Sequence, residues 1–236
     1  MEFRLVYQGR LPAASAANTR AKEKQQLRKH FHAQLRELWK EHGNLREQSE
    51  ELFVKQRTPP NQVSYPGPNV EEILPVAMIA PTAPVSGGRT ARLIAGAKTW
   101  VDHIADDFKR CGTRFVPLVR KANGFTCSLD ILFLRRDTPG SLVENGGDID
   151  NRIKVLLDGL RMPKTVPELG GVQIDSADED PFYCLLEDDK LITSISVTTD
   201  RLIIPRKAEE DVNDVLLVIH VTVVDPSAIF SGGRLV

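Results

Sequence analysis

The sequence predicts an α/β fold of the α+β kind, a small mixed β-sheet of about four to five strands flanked by helices and carrying a long Pro-rich insertion. Three observations lead there. A long amphipathic helix follows a short opening strand, apolar alternation recurs in the second half, and one helix near the middle carries an apolar and an acidic face. At 236 residues with 41% hydrophobic and 27% charged residues, the chain is long enough for a sizeable core and too apolar for disorder throughout. We read residues 1–236 as one domain.

In FRLVYQG, Phe3, Leu5 and Tyr7 alternate, which predicts a short strand ended by Leu11-Pro12. From about Arg20 to His42, Leu27, Phe31, Leu35, Leu38 and Trp39 recur at spacings of three and four, so one stripe of a helix is apolar, and Gly43 is its expected end. Between residues 48 and 113 the pattern breaks at Pro59-Pro60, Pro66, Pro68, Pro75, Pro81, Pro84 and Gly87-Gly88. That stretch reads as an insertion, with a helix expected over Thr99 to Arg110.

Order returns at RFVPLVRKANGFTCSLDILFLRR, where Asn123-Gly124 between two β-prone runs predicts a hairpin and Pro117 places the first run at an edge. Cys127, Leu129, Ile131 and Phe133 share one strand face. In the helix DIDNRIKVLLDGL, Ile153, Leu156, Leu157 and Leu160 fall in one arc and Asp150, Asn151, Lys154 and Asp158 in the adjacent one. Beyond an acidic stretch, Asp175 to Asp180, read as a solvated connection, LLEDDKLITSISVTT predicts a strand with Leu191, Thr193, Ile195 and Val197 on one side. VLLVIHVTVV, Val215 to Val224, is apolar on both faces and suits a central strand.

No run of about 18 apolar residues occurs, and the opening MEFRLVYQGRLP lacks the pattern of a secretion signal, so no membrane partner and a cytoplasmic location are expected. Cys111, Cys127 and Cys184 fit neither a zinc knuckle nor a CxxC pair and are expected to be reduced thiols. The net charge of −1 is unevenly spread. Residues 1–136 hold 22 Lys and Arg against 13 Asp and Glu, and residues 137–236 hold 9 against 19. A basic surface for phosphates beside an acidic, metal-holding centre gives this asymmetry, as do solvated loops and helix faces.

Asp148, after Gly146-Gly147, and Asp150 stand near the start of the motif helix, where negative charge is favoured. Glu187, Asp188 and Asp189 precede a strand that can bring them to the same end of the sheet. Carboxylates so gathered repel unless protonated or neutralised by a cation, and hard oxygen ligands without His or Cys point to Mg²⁺ or Mn²⁺. Single residues also have plainer readings: Asp148 as an N-cap, Asp150 with Lys154 as a helical ion pair, Asp158 as a solvated helix residue, and Asp188 as a turn residue. His30 and His32, two apart on a helix, read as surface or packing residues.

The string D-I-D-N-R-I-K-V-L-L-D-G-L, followed by E-D-D-K-L-I and a strand, resembles the RusA family of Holliday junction resolvases. The resemblance covers about 13 residues and the second motif. It implies that Asp148, Asp150 and Asp189 are metal-binding catalytic carboxylates, with Asp188 the weaker member of its pair, and that Lys154 is the catalytic lysine. It also implies a homodimer that cuts branched DNA with Mg²⁺ or Mn²⁺. Family members are about half this length, and both residues 48–113 and the long interval from Arg161 to Leu186 depart from them. Arg28, Lys29, Arg36 and Lys40 on the first helix are the expected phosphate-gripping residues. Two further functions remain open at this point: a non-cleaving DNA-binding or assembly protein with this fold, and a nuclease of the same chemistry acting on flaps, single strands or RNA.

Overall fold

A computed structural model describes residues 1–15, 18–57, 71–75, 97–136, 149–172, 174, 177–203 and 213–225. In chain order the elements are β1 (Glu2–Arg10), α1 (Ala21–Glu41), α2 (Gly43–Glu50), β2 (Leu52–Arg57), β3 (Glu71–Pro75), β4 (Lys98–Thr99), α3 (Trp100–Asp107), β5 (Lys109–Arg110), β6 (Thr113–Val119), β7 (Thr126–Arg135), α4 (Ile149–Leu160), β8 (Phe182–Leu186), β9 (Ile192–Arg201) and β10 (Asp214–Val224). The fold is α+β, as the sequence predicts. It divides into two compact units, Met1–Arg36 with Lys109–Val236, and Glu37–Phe108.

The first unit is built on a mixed sheet in the order β1-β10-β7-β9, antiparallel except for the β7–β9 pair. Its register aligns Leu5, Ile219, Ile131 and Val197 in one row and Phe3, Val221, Leu129 and Ile195 in the next. Period-two alternation therefore gathers these residues on one face, where Leu5, Ile219, Ile131, Val221 and Leu129 are buried. β10 is central, as its apolar run predicts, although only alternate residues are fully buried. Leu27, Phe31 and Leu35 of α1 are buried at the predicted spacing, and α1 ends near Gly43, which opens α2 instead of closing a helix.

The expected hairpin at Asn123-Gly124 is not formed. Lys121–Asn123 make a single 3-10 turn closed by Gly124 at φ 67°, and β6 leaves for a separate sheet, ordered β5-β6-β8. Both edges of β7 are already taken by β10 and β9, so β6 has no place beside it. Among the described residues β6 pairs from Phe115 onward only with β8, which leaves Pro117 without a strand on its other side there, where its missing N–H costs no ladder bond. Within LLEDDKLITSISVTT, Leu185 and Leu186 belong to β8, parallel to β6, and the strand proper begins at Ile192.

In the second unit, β2 lies between β3 and β4, both antiparallel to it. The helix expected over Thr99 to Arg110 spans Trp100–Asp107. Thr99 caps it by accepting from the Asp102 N–H at 3.1 Å while its hydroxyl donates to the Asp102 carboxylate at 2.8 Å. Leu45, Val101 and Ile104 are buried in this unit. No helix among the described residues is long and apolar enough to cross a membrane.

Candidate active site

The buried face of α4 is turned from the expected one by roughly 80° at 100° per residue. Arg152, Val155, Leu156, Gly159 and Leu160 are buried, whereas Ile153 and Leu157 are only half-buried. Two contacts cause the turn. The Arg152 guanidinium donates to the Leu11 carbonyl at 3.1 Å and to Asn213 Oδ1 at 3.1 Å, which pulls that side inward. Gly159 lies against Leu27 so closely that an added Cβ would stand 2.8 Å from the Leu27 Cβ.

Asp150 and Lys154 consequently project from the side of α4 opposite its buried face, and both are exposed. They lie one turn apart, the spacing at which helix side chains are neighbours. The Asp150 carboxylate accepts from the Asn151 N–H, and the Asn151 carbonyl accepts from the Ala14 N–H at 3.4 Å. Asp148, the third residue expected at this end, lies outside the described residues.

Asp158 belongs to a different arrangement. Its carboxylate meets Lys24 Nζ at 2.7 Å and Arg161 at 2.6 and 2.9 Å. Burial pushes its pKa up, but hydrogen bonds and charge from Lys24 and Arg161 outweigh that and hold it below the ordinary carboxylate range. It ties α1 to the end of α4, and the solvated reading is corrected to a structural one.

Arg28 is also corrected. Expected to grip phosphates, it is 1% exposed and donates to the carbonyls of Asp158 at 2.8 Å, Arg161 at 3.0 Å and Glu168 at 3.1 Å. These include the unpaired carbonyls at the end of α4, so a buried cation caps the negative end of the helix. Lys29 is ion-paired with Glu179 at 3.1 Å, and Arg36 with Asp178 at 3.0 Å. The acidic connection thus holds two of the cations expected to grip DNA. In the second unit Lys40 pairs with Glu37 at 2.7 Å.

His32 is a packing residue, as expected, stacked on Phe182 with ring centroids 4.4 Å apart. Its Nδ1 accepts from the Tyr183 N–H at 2.9 Å, so its Nε2 must donate to the Asp178 carbonyl at 3.0 Å.

Asp188 and Asp189 lie by the last turn of α4. Asp189 approaches Arg161 at 3.8 Å and Lys164 at 3.6 Å, and Asp188 approaches Lys164 at 3.5 Å. The neighbouring Asp189 carboxyl, the Lys190 N–H and Lys164 hold the Asp188 carboxyl well below its ordinary range. Asp150 stands in the first turn of α4, a helical rise of about 12 Å from Asp158, whereas the ion partners of Asp188 and Asp189 follow its last turn. The structure therefore brings Asp150 together with Lys154 at one end of α4, and Asp188 with Asp189 at the other. Arg161 and Lys164, which hold the second pair, were not anticipated. The available signal was two cations just past a helix C-terminus, where positive charge is favoured.

Among the described residues no three His, Cys, Asp or Glu side chains converge as a metal cradle. Asp150 is a hard-oxygen donor of the type Mg²⁺ takes, and a cradle at its end of α4 needs Asp148 beside it. Cys127 and Cys184 are buried free thiols and Cys111 a half-buried one, with Cys127 pushed up to about 11 by burial. In comparisons with known proteins, no family model, curated protein or solved structure matches the chain.

Proposed function

We propose that this protein is a metal-dependent nuclease that hydrolyses phosphodiester bonds in branched DNA, in the manner of a RusA-type resolvase. The observation that carries the reading is the outward presentation of Asp150 and Lys154, one turn apart, on a helix fixed on its other side by Arg28, Arg152 and Gly159. A cap or surface ion pair needs no such anchoring, whereas groups that meet a reacting phosphate need a rigid support.

Asp148 and Asp150 would hold a Mg²⁺ or Mn²⁺ ion, and Lys154 would face the same phosphate. The ion supplies an activated water and offsets charge on the phosphoryl oxygens. Lys154 contributes a fixed positive charge toward the attacked phosphate or the leaving oxygen, and Asn151 orients the neighbouring carboxylate through its backbone N–H. Asp188 and Asp189, held by Lys164 and Arg161, form a second acidic point along the helix and take part only if the DNA or an ion draws them from those cations.

The test is incubation of the purified protein with labelled four-way junction, flap, duplex, single-stranded DNA and RNA, with and without Mg²⁺ or Mn²⁺. Metal-dependent cutting of junctions above the other substrates is the expected result. Cutting confined to flaps, single strands or RNA would keep the chemistry and change the target. Binding without cutting would favour a non-cleaving DNA-binding protein.

A further inference from the structure

Three consecutive acidic residues between α4 and β8 each meet a different cation. Asp178 Oδ1 accepts from Arg36 Nη1 at 3.0 Å, both Glu179 carboxylate oxygens lie 3.1 Å from Lys29 Nζ, and Asp180 Oδ1 accepts from Arg114 Nε at 2.9 Å. Lys29 and Arg36 stand two turns apart on α1, and Arg114 is near the start of β6. All six residues belong to the first unit.

The backbone of the acidic segment has its own fastening. His32, between Lys29 and Arg36 on α1, donates from Nε2 to the Asp178 carbonyl at 3.0 Å and stacks on Phe182, and Arg36 donates to the same carbonyl at 3.0 Å. The carboxylates serve no packing role of this kind. No residue of Ala177–Glu179 is buried, and the Asp178 and Asp180 side chains are 83% and 57% exposed, with Glu179 the better covered at 14%. Exposed ion pairs are held weakly, because water screens them. The segment can therefore give up its ion pairs without leaving α1.

The spacing of the acids also matches a polyanion. Neighbouring Cα atoms are about 3.8 Å apart, and the phosphates of one duplex strand follow at about 3.4 Å along the axis. Three acids in a row thus carry negative charge at about the density of a nucleic-acid strand.

We propose that Asp178, Glu179 and Asp180 are an internal stand-in for nucleic-acid phosphates, an autoinhibitory contact that occupies Arg36, Lys29 and Arg114 until a strand displaces the three carboxylates. With the acids in place the cations are matched, and an arriving phosphate must compete for them. On exchange the Asp178 carbonyl stays on His32 and Arg36, while the carboxylates turn to water. The contact lowers affinity for every strand, and most for strands that touch this face alone, so it acts against wrong partners. It rests on nucleic acid being the ligand, as in the proposed function, and not on cleavage.

Fluorescence anisotropy of a labelled DNA duplex with the full chain tests this, at about 0.1 M salt, where exposed charges more than about 10 Å apart are screened. D178N/E179Q/D180N keeps the size of each side chain and should bind about tenfold tighter than the parent, with the slope of log affinity against log salt steeper by about 2 to 3 for three regained phosphate contacts. Adding K29Q/R36Q/R114Q to that variant should abolish both gains. The control E2Q/D130N/D200N removes as many exposed acids from the sheet face opposite the core, and should gain about twofold or less. A D178N/E179Q/D180N gain no larger than the control's, or one that survives the loss of Lys29, Arg36 and Arg114, would overturn the proposal. Cutting of junctions by the parent is read separately, so a parent that cuts while D178N/E179Q/D180N gains nothing removes the autoinhibitory contact and leaves the nuclease reading standing.

Discussion

At the scale of single residues, two aspartates eight positions apart on one helix have opposite duties. Asp158 is surrounded by Lys24 and Arg161 and holds α1 to α4, whereas Asp150 faces outward. Asp158→Asn should cost about 2 kcal/mol, since hydrogen bonds to charged partners are lost and two cations remain, and a urea melt measures it. Because the folded-state pKa of Asp158 lies below its ordinary value, its contribution is present above the ordinary value of 3.8 and disappears as pH falls through the folded one. The substituted protein should accordingly lose less stability than the parent on acidification through that window. His32 gives a second pH test. Burial, with Arg36 nearby, lowers its pKa below 6.5 against the opposing influence of Glu179 and the Asp178 carbonyl, and protonation would set an N–H against the Tyr183 N–H. Stability from the neutral ring is complete above pH 6.5 and declines as pH falls through the lowered value. Melts at about pH 8 and about pH 5 should show this decline in the parent and a smaller one in His32→Gln; equal slopes would contradict it.

At the scale of elements, glycines report how closely the helices approach. A Cβ at Gly159 would press on the Leu27 Cβ, and one at Gly170, whose φ is +58°, would stand 2.6 Å from backbone atoms of Ala21 and Lys22 at the start of α1. Gly170→Ala should destabilise by about 3 kcal/mol, from left-handed strain together with a backbone clash. Gly159→Ala should cost about 1 kcal/mol, as overpacking is partly offset by better helix propensity. Gly43→Ala, with nothing within 4 Å, should be neutral or stabilising. Thermal melting of the three variants checks the order. Elements with a long apolar period, α1, β7 and β10, were legible because burial on one face writes itself into the spacing of Leu, Ile, Val and Phe. The β6–β7 connection was not, since Asn123-Gly124 marks a turn without saying whether the strands it joins share a sheet. Nor was the face of α4, because Arg152 and Gly159 bury for reasons of distant hydrogen bonding and close packing that apolar counting cannot register. Within the candidate site, the exposure of Asp150 and Lys154 followed from the helical period. The burial of Arg28 did not, because its partners are carbonyls more than a hundred residues away.

At the scale of the whole molecule, folding undoes part of the segregation of charge along the chain. Lys29 and Arg36 from the basic half meet Glu179 and Asp178 from the acidic half, so part of the asymmetry cancels between neighbours instead of forming a phosphate-binding face. Asp178→Asn with Glu179→Gln should remove the opposing charge from both cations, while Arg36 keeps its bond to the Asp178 carbonyl. Affinity for duplex DNA should then rise, and the dependence of log affinity on log salt should steepen by about 0.9 for each new phosphate contact. An unchanged affinity and slope would remove this face from DNA binding. The central claim is that the outward face of α4 cuts phosphodiesters, and a comparison of the parent with Asp150→Asn on a labelled four-way junction in Mg²⁺ tests it most directly, with binding and cleavage read from the same samples. Asp150 is exposed, so the variant should fold and bind DNA as well as the parent or better. Its cleavage should fall by about two orders of magnitude or more. A variant that cuts as fast as the parent, or a parent that cuts no nucleic acid with Mg²⁺ or Mn²⁺, would contradict the account.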